Sequence, residues 1–117
     1  MATNSQIAFN PQGKTVVVAA AGTAPAGVQV PVDVRFDAQA TGQVRIINSG
    51  TETVHLGVGP SAAIAQANAV AATAGNPAAG IPLVPGAVEI LRFPVGSYFS
   101  GYAAAATTLY ITPGEGL

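Results

Sequence analysis

Cysteine and tryptophan are absent from this 117-residue chain, histidine occurs once, and charge is scarce, with four Lys and Arg against five Asp and Glu. Each shortage removes a class of protein. Without cysteine there is no disulfide framework and no thiolate metal site, so stability has to come from packing, hydrogen bonds and contacts between subunits. Charged types make up 8% of the chain, roughly a third of the usual share of about 25%. The formal net charge is -1 and the four cations are well spread. A nucleic-acid binder needs a basic stripe to neutralise phosphates, so no nucleic-acid partner is expected. One His and five carboxylates leave little for catalysis, and no enzyme activity, metal or cofactor is expected. No apolar run approaches the ~20 residues of a membrane-spanning helix. The polar start, Met1 to Phe9, lacks the basic segment of a signal peptide. The expectation is a chain made and folded in a cytoplasm without a membrane anchor.

What is present is apolar and finely punctuated. Hydrophobic types reach 50%, with 24 Ala among them, and 14 Gly and 9 Pro break the chain into short pieces. The bulky residues suffice for one core, and the length suits one domain. Lys14 to Ala20 is a Val-rich run that reads as a strand buried on both faces. Val28, Val30, Val32, Val34 and Phe36 alternate with Gln29, Pro31, Asp33, Arg35 and Asp37, the period of a half-buried strand. Pro31 lacks an amide donor and assigns that strand to a sheet edge or a bulge.

Gln43 to Asn48 and Thr53 to Val58 read as a β-hairpin through Ser49-Gly50-Thr51-Glu52. Residues 60–80 form an Ala-rich insert, a short helix capped by Ser61 or an ordered loop. In Val88 to Phe93, Val88 and Ile90 point one way and Leu91 and Phe93 the other, which suggests a bulge or two covered faces. Tyr98 to Ala103 and Thr107 to Thr112 read as a second hairpin-like pair. Residues 1–13 are expected to be an arm, 14–112 the folded domain and 113–117 a tail. Seven to nine short strands predict an all-β, antiparallel β-sandwich, with a jelly-roll-like arrangement as one form of it.

Few residues carry chemistry. His55 lies on the polar face of its strand, and the bland role, a surface or interface His paired across the sheet with Ile47 or its neighbours, outweighs catalysis. Asp33 and Asp37 share a strand face but stand about 13 Å apart, beyond a glycosidase pair; with Arg35 they read as an ion-pair ladder. Gly57-Val58-Gly59-Pro60-Ser61 echoes a phosphate-binding turn, but no βαβ unit surrounds it, and a plain Gly-rich turn is the better reading. Arg35, Arg45 and Arg92 sit within strands, where a guanidinium can meet a neighbouring subunit. Tyr98 and Tyr102 divide between core rim and interface, while Phe99 belongs to the core. The candidate interface is therefore Asp33, Arg35, Asp37, Arg45, His55, Arg92, Tyr98 and Tyr102.

Several segments together carry a resemblance: Phe9-Asn10-Pro11, Val44-Arg45-Ile46-Ile47-Asn48-Ser49-Gly50, Val54-His55-Leu56-Gly57-Val58-Gly59, the Ala-rich insert, Leu83-Val84-Pro85-Gly86-Ala87-Val88-Glu89-Ile90-Leu91, and Leu109-Tyr110-Ile111-Thr112-Pro113-Gly114-Glu115-Gly116. In this order the chain resembles the small virion structural proteins of tailed bacteriophages that decorate or cement the capsid. The resemblance implies a β-sandwich present in many copies on the capsid surface of a virion assembled in a bacterial cytoplasm. It implies the major capsid protein as partner, a homo-oligomer (dimer or trimer), and no cofactor. The alternative is a tail-associated or host-surface module that binds a glycan or receptor.

Overall fold

The computed structural model describes residues 9–11, 13–31 and 42–115. Among them nine strands and one helix follow in the order β1 (Asn10–Pro11), β2 (Val16–Ala20), β3 (Val28–Gln29), β4 (Gln43–Asn48), β5 (Val54–Gly59), α1 (Ala62–Asn68), β6 (Ile81–Leu83), β7 (Val88–Arg92), β8 (Tyr98–Tyr102) and β9 (Thr107–Glu115). They form two antiparallel sheets packed as an all-β sandwich. In sheet A, β1 and β2 lie end to end along one edge of β9, followed by β4 and β7. Sheet B runs β3-β8-β5-β6. The pairs β2–β9, β3–β8, β4–β7 and β5–β6 are nested, all antiparallel. The described strands thus behave as one double ribbon, with α1 inside its innermost connection, closed by β4–β9 and β5–β8.

The core is where inward phases meet. Val18, Ile46, Leu109 and Ile111 of sheet A face Val54, Leu56 and Phe99 of sheet B, all essentially without solvent contact. Phe93 packs edge-on against Phe99 at 5.4 Å between centroids, a favoured aromatic geometry.

The structure corrects several sequence expectations. Gln43–Asn48 and residues 53–58 are not a hairpin: β4 pairs β7 and β9, β5 pairs β6 and β8, and residues 49–53 carry the chain from one sheet to the other. The same holds for β8 and β9. Turn residues suit an arch between sheets as well as a tight turn, so they do not discriminate the two. β2 is not buried on both faces, since Val17 is exposed between half-buried Val16 and buried Val18. β7 has neither a bulge nor a covered outer face: its register with β4 is unbroken from Arg92 to Val88, with Leu91 toward the core and Val88 and Ile90 exposed. The chain ends differently as well. Asn10 and Pro11 of the expected arm pair with Glu115 and Gly114, so β9 runs through residues 113–115 of the expected tail.

Pro31 does follow an edge strand, since β3 ends sheet B. The strand itself is only Val28–Gln29, and residues 32–41 lie outside the described ones. Ser61 caps α1, its Oγ accepting the Ile64 amide at 3.3 Å. Because the bond is long and exposed and the helix has only seven residues, Ser61→Ala is expected to cost about 0.5–1 kcal/mol, read as a small shift in thermal midpoint.

Candidate interaction surfaces

The two outer faces of the sandwich differ in kind. On sheet B, alternation turns His55, Gly57 and Gly59 of β5 outward beside Tyr102, Ser100 and Tyr98 of β8, their register partners. The helix lies across the middle of this face. A side chain at Gly57 would meet the Ala65 carbonyl and the Ala69 amide, and one at Gly59 would meet Ile64. Opposite, a Cβ at Gly27 would stand 2.8 Å from that of Ala65. Glycine on the strand and alanine on the helix thus let backbone approach backbone.

Side-chain hydrogen bonds fasten this layer. Asn68 Nδ2 donates to the Val58 carbonyl at 2.8 Å, Gln66 Nε2 to that of Ala24 at 2.7 Å, and Ser100 Oγ to that of Pro25 at 2.6 Å. Gly57 and Gly59 are therefore strand residues beneath a helix. The phosphate-turn echo has no loop to act through, and the plain Gly-rich turn is replaced by a seat for α1.

His55 stands opposite Tyr102 and Pro82, not Ile47, which belongs to the other sheet. Its ring is 6.0 Å from that of Tyr102, tilted by 37°, and no hydrogen bond to the imidazole occurs among the described residues. Among the described residues no group of three His, Asp or Glu is placed to hold a metal ion. Tyr98 and Tyr102 share the face but flank fully buried Ser100. Covered backbone separates them, and they do not form one continuous aromatic platform.

Arg45 and Arg92 lie in the other layer, on the outer face of sheet A, with Arg45 aligned to Thr112 and Ile90 and Arg92 to Gln43. Arg45 Cζ is 5.8 Å from the centroid of the Phe9 ring, within cation–π range. Among the described residues its Nε is buried without a hydrogen-bond partner, a desolvation cost that the stacking partly offsets. Asp33, Arg35 and Asp37 lie outside the described residues.

Asn48 is a structural side chain absent from the expected site residues. It is fully buried at the end of β4. Its Nδ2 donates to the carbonyls of Glu52 and Leu83 at 2.9 Å and of Val84 at 3.2 Å, and its Oδ1 accepts the Gly50 amide at 3.1 Å. One amide thereby ties the crossing between sheets to the end of β6. The available signal was its phase, since Asn48 continues the inward series of Val44 and Ile46.

Fold and surfaces together define an all-β sandwich with one helix-covered face and one open, apolar face. Compared with family models, curated proteins and solved structures, the chain matches none.

Proposed function

We propose that the chain is a non-enzymatic virion structural protein that decorates or cements a bacteriophage capsid by bridging subunits of the major capsid protein. The observation that carries this reading is the strand order. Counting β2 to β9 as eight strands, the sheets run first-eighth-third-sixth and second-seventh-fourth-fifth, an order that supports the jelly-roll form of the sandwich. Double-sheet rolls of this kind serve viral capsids, lectins and cupins, and fold alone does not choose among them.

One feature favours the shell: charge is scarce throughout, as it is in interface cores. The lectin-like alternative calls for a recognition platform, and the covered Ser100 row divides the two tyrosines that would build one. A thin contact repeated over a lattice gains strength by multivalency, which suits a small protein without disulfides.

The test is functional. Expanded shells of the phage that encodes the chain, prepared without this protein, are heated with and without the purified protein. Its addition is expected to raise the temperature at which the shells open, in proportion to occupancy. Unchanged opening at full occupancy would remove the cementing role.

A further inference from the structure

The outer face of sheet A carries an apolar row that crosses all four strand positions. The register aligns Val17 of β2 with Tyr110 of β9, Tyr110 with Ile47 of β4, and Ile47 with Val88 of β7. Val17 is 50% exposed, Tyr110 40%, Val88 56%, and Ile90 in the next row 51%. The largest contiguous apolar patch on a protein of this kind is often a functional contact.

The relief on the two sides of the row is unequal. On one side stands the Arg45 row, with the Phe9 ring against Arg45. On the other side the next row holds Ala19 and Thr108, with Ser49 beside them, its amide bonded to the Thr108 carbonyl at 3.1 Å. A ridge of large side chains thus borders one flank and a step of small ones the other.

We infer that this face is a contact between two copies of the chain, packed sheet to sheet about a two-fold axis running along the row from Val17 to Val88. Rotation about that axis reverses the strand direction while keeping each strand over its counterpart. The apolar row then lies on itself, and the Phe9–Arg45 ridge of each copy sits over Ala19, Thr108 and Ser49 of the other. A two-fold axis along the strands would instead bring the two Arg45 rows together, ridge against ridge and like charge against like charge. The surface is self-complementary in only one of these two arrangements.

The area agrees with a second copy as occupant. Four strands about 4.8 Å apart and five residues of about 3.3 Å each give a footprint near 300 Å². Two such footprints come to about 600 Å², and side-chain relief raises the buried area toward the roughly 1,000 Å² at which specific interfaces begin. The dimer is therefore weak and concentration-dependent in dilute solution and strengthens where copies are held close together. This contact goes beyond the shell reading and does not depend on it.

Sedimentation of the full chain from low to high micromolar concentration tests the inference. Wild type is expected to show a reversible monomer–dimer equilibrium. The double variant Val88→Asp/Ile90→Asp is expected to weaken it at least tenfold, while Val70→Asp, at an exposed position following α1, leaves it unchanged. A second measurement guards against misfolding of the double variant. Because the chain lacks cysteine, Val17→Cys and Val88→Cys each place one thiol beside the axis. Both are expected to cross-link copy to copy with a bis-maleimide spacer spanning about 10 Å, the usual separation of packed sheets, whereas Val70→Cys does not. A wild type that stays monomeric throughout, or a dimer in which all three cysteine variants cross-link equally, would overturn the inference.

Discussion

Asn48→Ala is expected to lower stability by about 3 kcal/mol or more, the range for losing a buried hydrogen-bond network. In a domain of this size that is a fall of roughly 10 °C or more in thermal midpoint. The side chain touches three carbonyls and one amide within a fully buried site. Alanine leaves the Leu83 carbonyl, and the crossing at Glu52 and Gly50, without their shared partner, and it opens a void that water fills poorly. The neighbouring Ser49→Ala is the control, because its hydroxyl makes only a long, exposed bond to Thr108 at 3.3 Å. That change is expected to stay within about 0.5 kcal/mol. Equal effects of the two substitutions, read by thermal and denaturant unfolding, would show that the amide does not hold the crossing together.

Gly57→Val is the second large effect. A Cβ at that position has nowhere to go, because the Ala65 carbonyl and the Ala69 amide occupy its place. Both obstacles are backbone, so relief requires α1 to lift from sheet B. Overpacking usually costs about 1–3 kcal/mol, and Gly57→Val is expected at or beyond the upper end. Hydrogen exchange is expected to quicken first in residues 61–69, where the Ser61 cap and the Asn68 bond to Val58 would loosen. Gly75→Asn is the contrast. Gly75 has a positive φ of 78° but open space around its would-be Cβ, and asparagine tolerates that conformation. A change of a few tenths of a kcal/mol is expected there.

These two residues also show what was legible in the sequence. Most strands could be read because alternation is local, whereas Asn10–Pro11 fell within the expected arm and residues 60–80 stayed divided between a helix capped by Ser61 and an ordered loop. The pairing could not, because an arch between sheets and a hairpin within one sheet draw on the same residues. Ser49-Gly50-Thr51-Glu52 has turn chemistry in either case. What separates them is Asn48: in the inward phase of β4 it needs several buried acceptors, and Glu52, Leu83 and Val84 supply them where the chain changes sheets.

The glycines followed a similar course. Read as a loop, Gly57-Val58-Gly59 suggested a turn; read with period two, Gly57 and Gly59 share one face and invite the Ala-rich segment that follows. The excess of alanine thereby acquires a cause, since part of it lets a helix lie directly on a sheet.

The candidate surface was legible only in part. Arg45 and Arg92 were placed correctly within strands, and both lie on sheet A. His55 and Tyr102 meet, as register partners across β5 and β8, but Tyr98 is set apart from them. The open row went unread because it belongs to no single segment. Val17, Tyr110, Ile47 and Val88 come from four strands that are distant in sequence, and only the register places them side by side. Scarcity of charge pointed toward contact between subunits, and the open row is the face proposed for that contact.

The central claim, a shell-coating protein present in many copies, is tested most directly by counting. Quantitative mass spectrometry of purified particles of the phage proposed to encode the chain gives its copy number relative to the major capsid protein. The account predicts a number of the same order as the major capsid protein, falling to near zero in shells that have not yet expanded. A handful of copies per particle, matching tail components, or none at all, would contradict it.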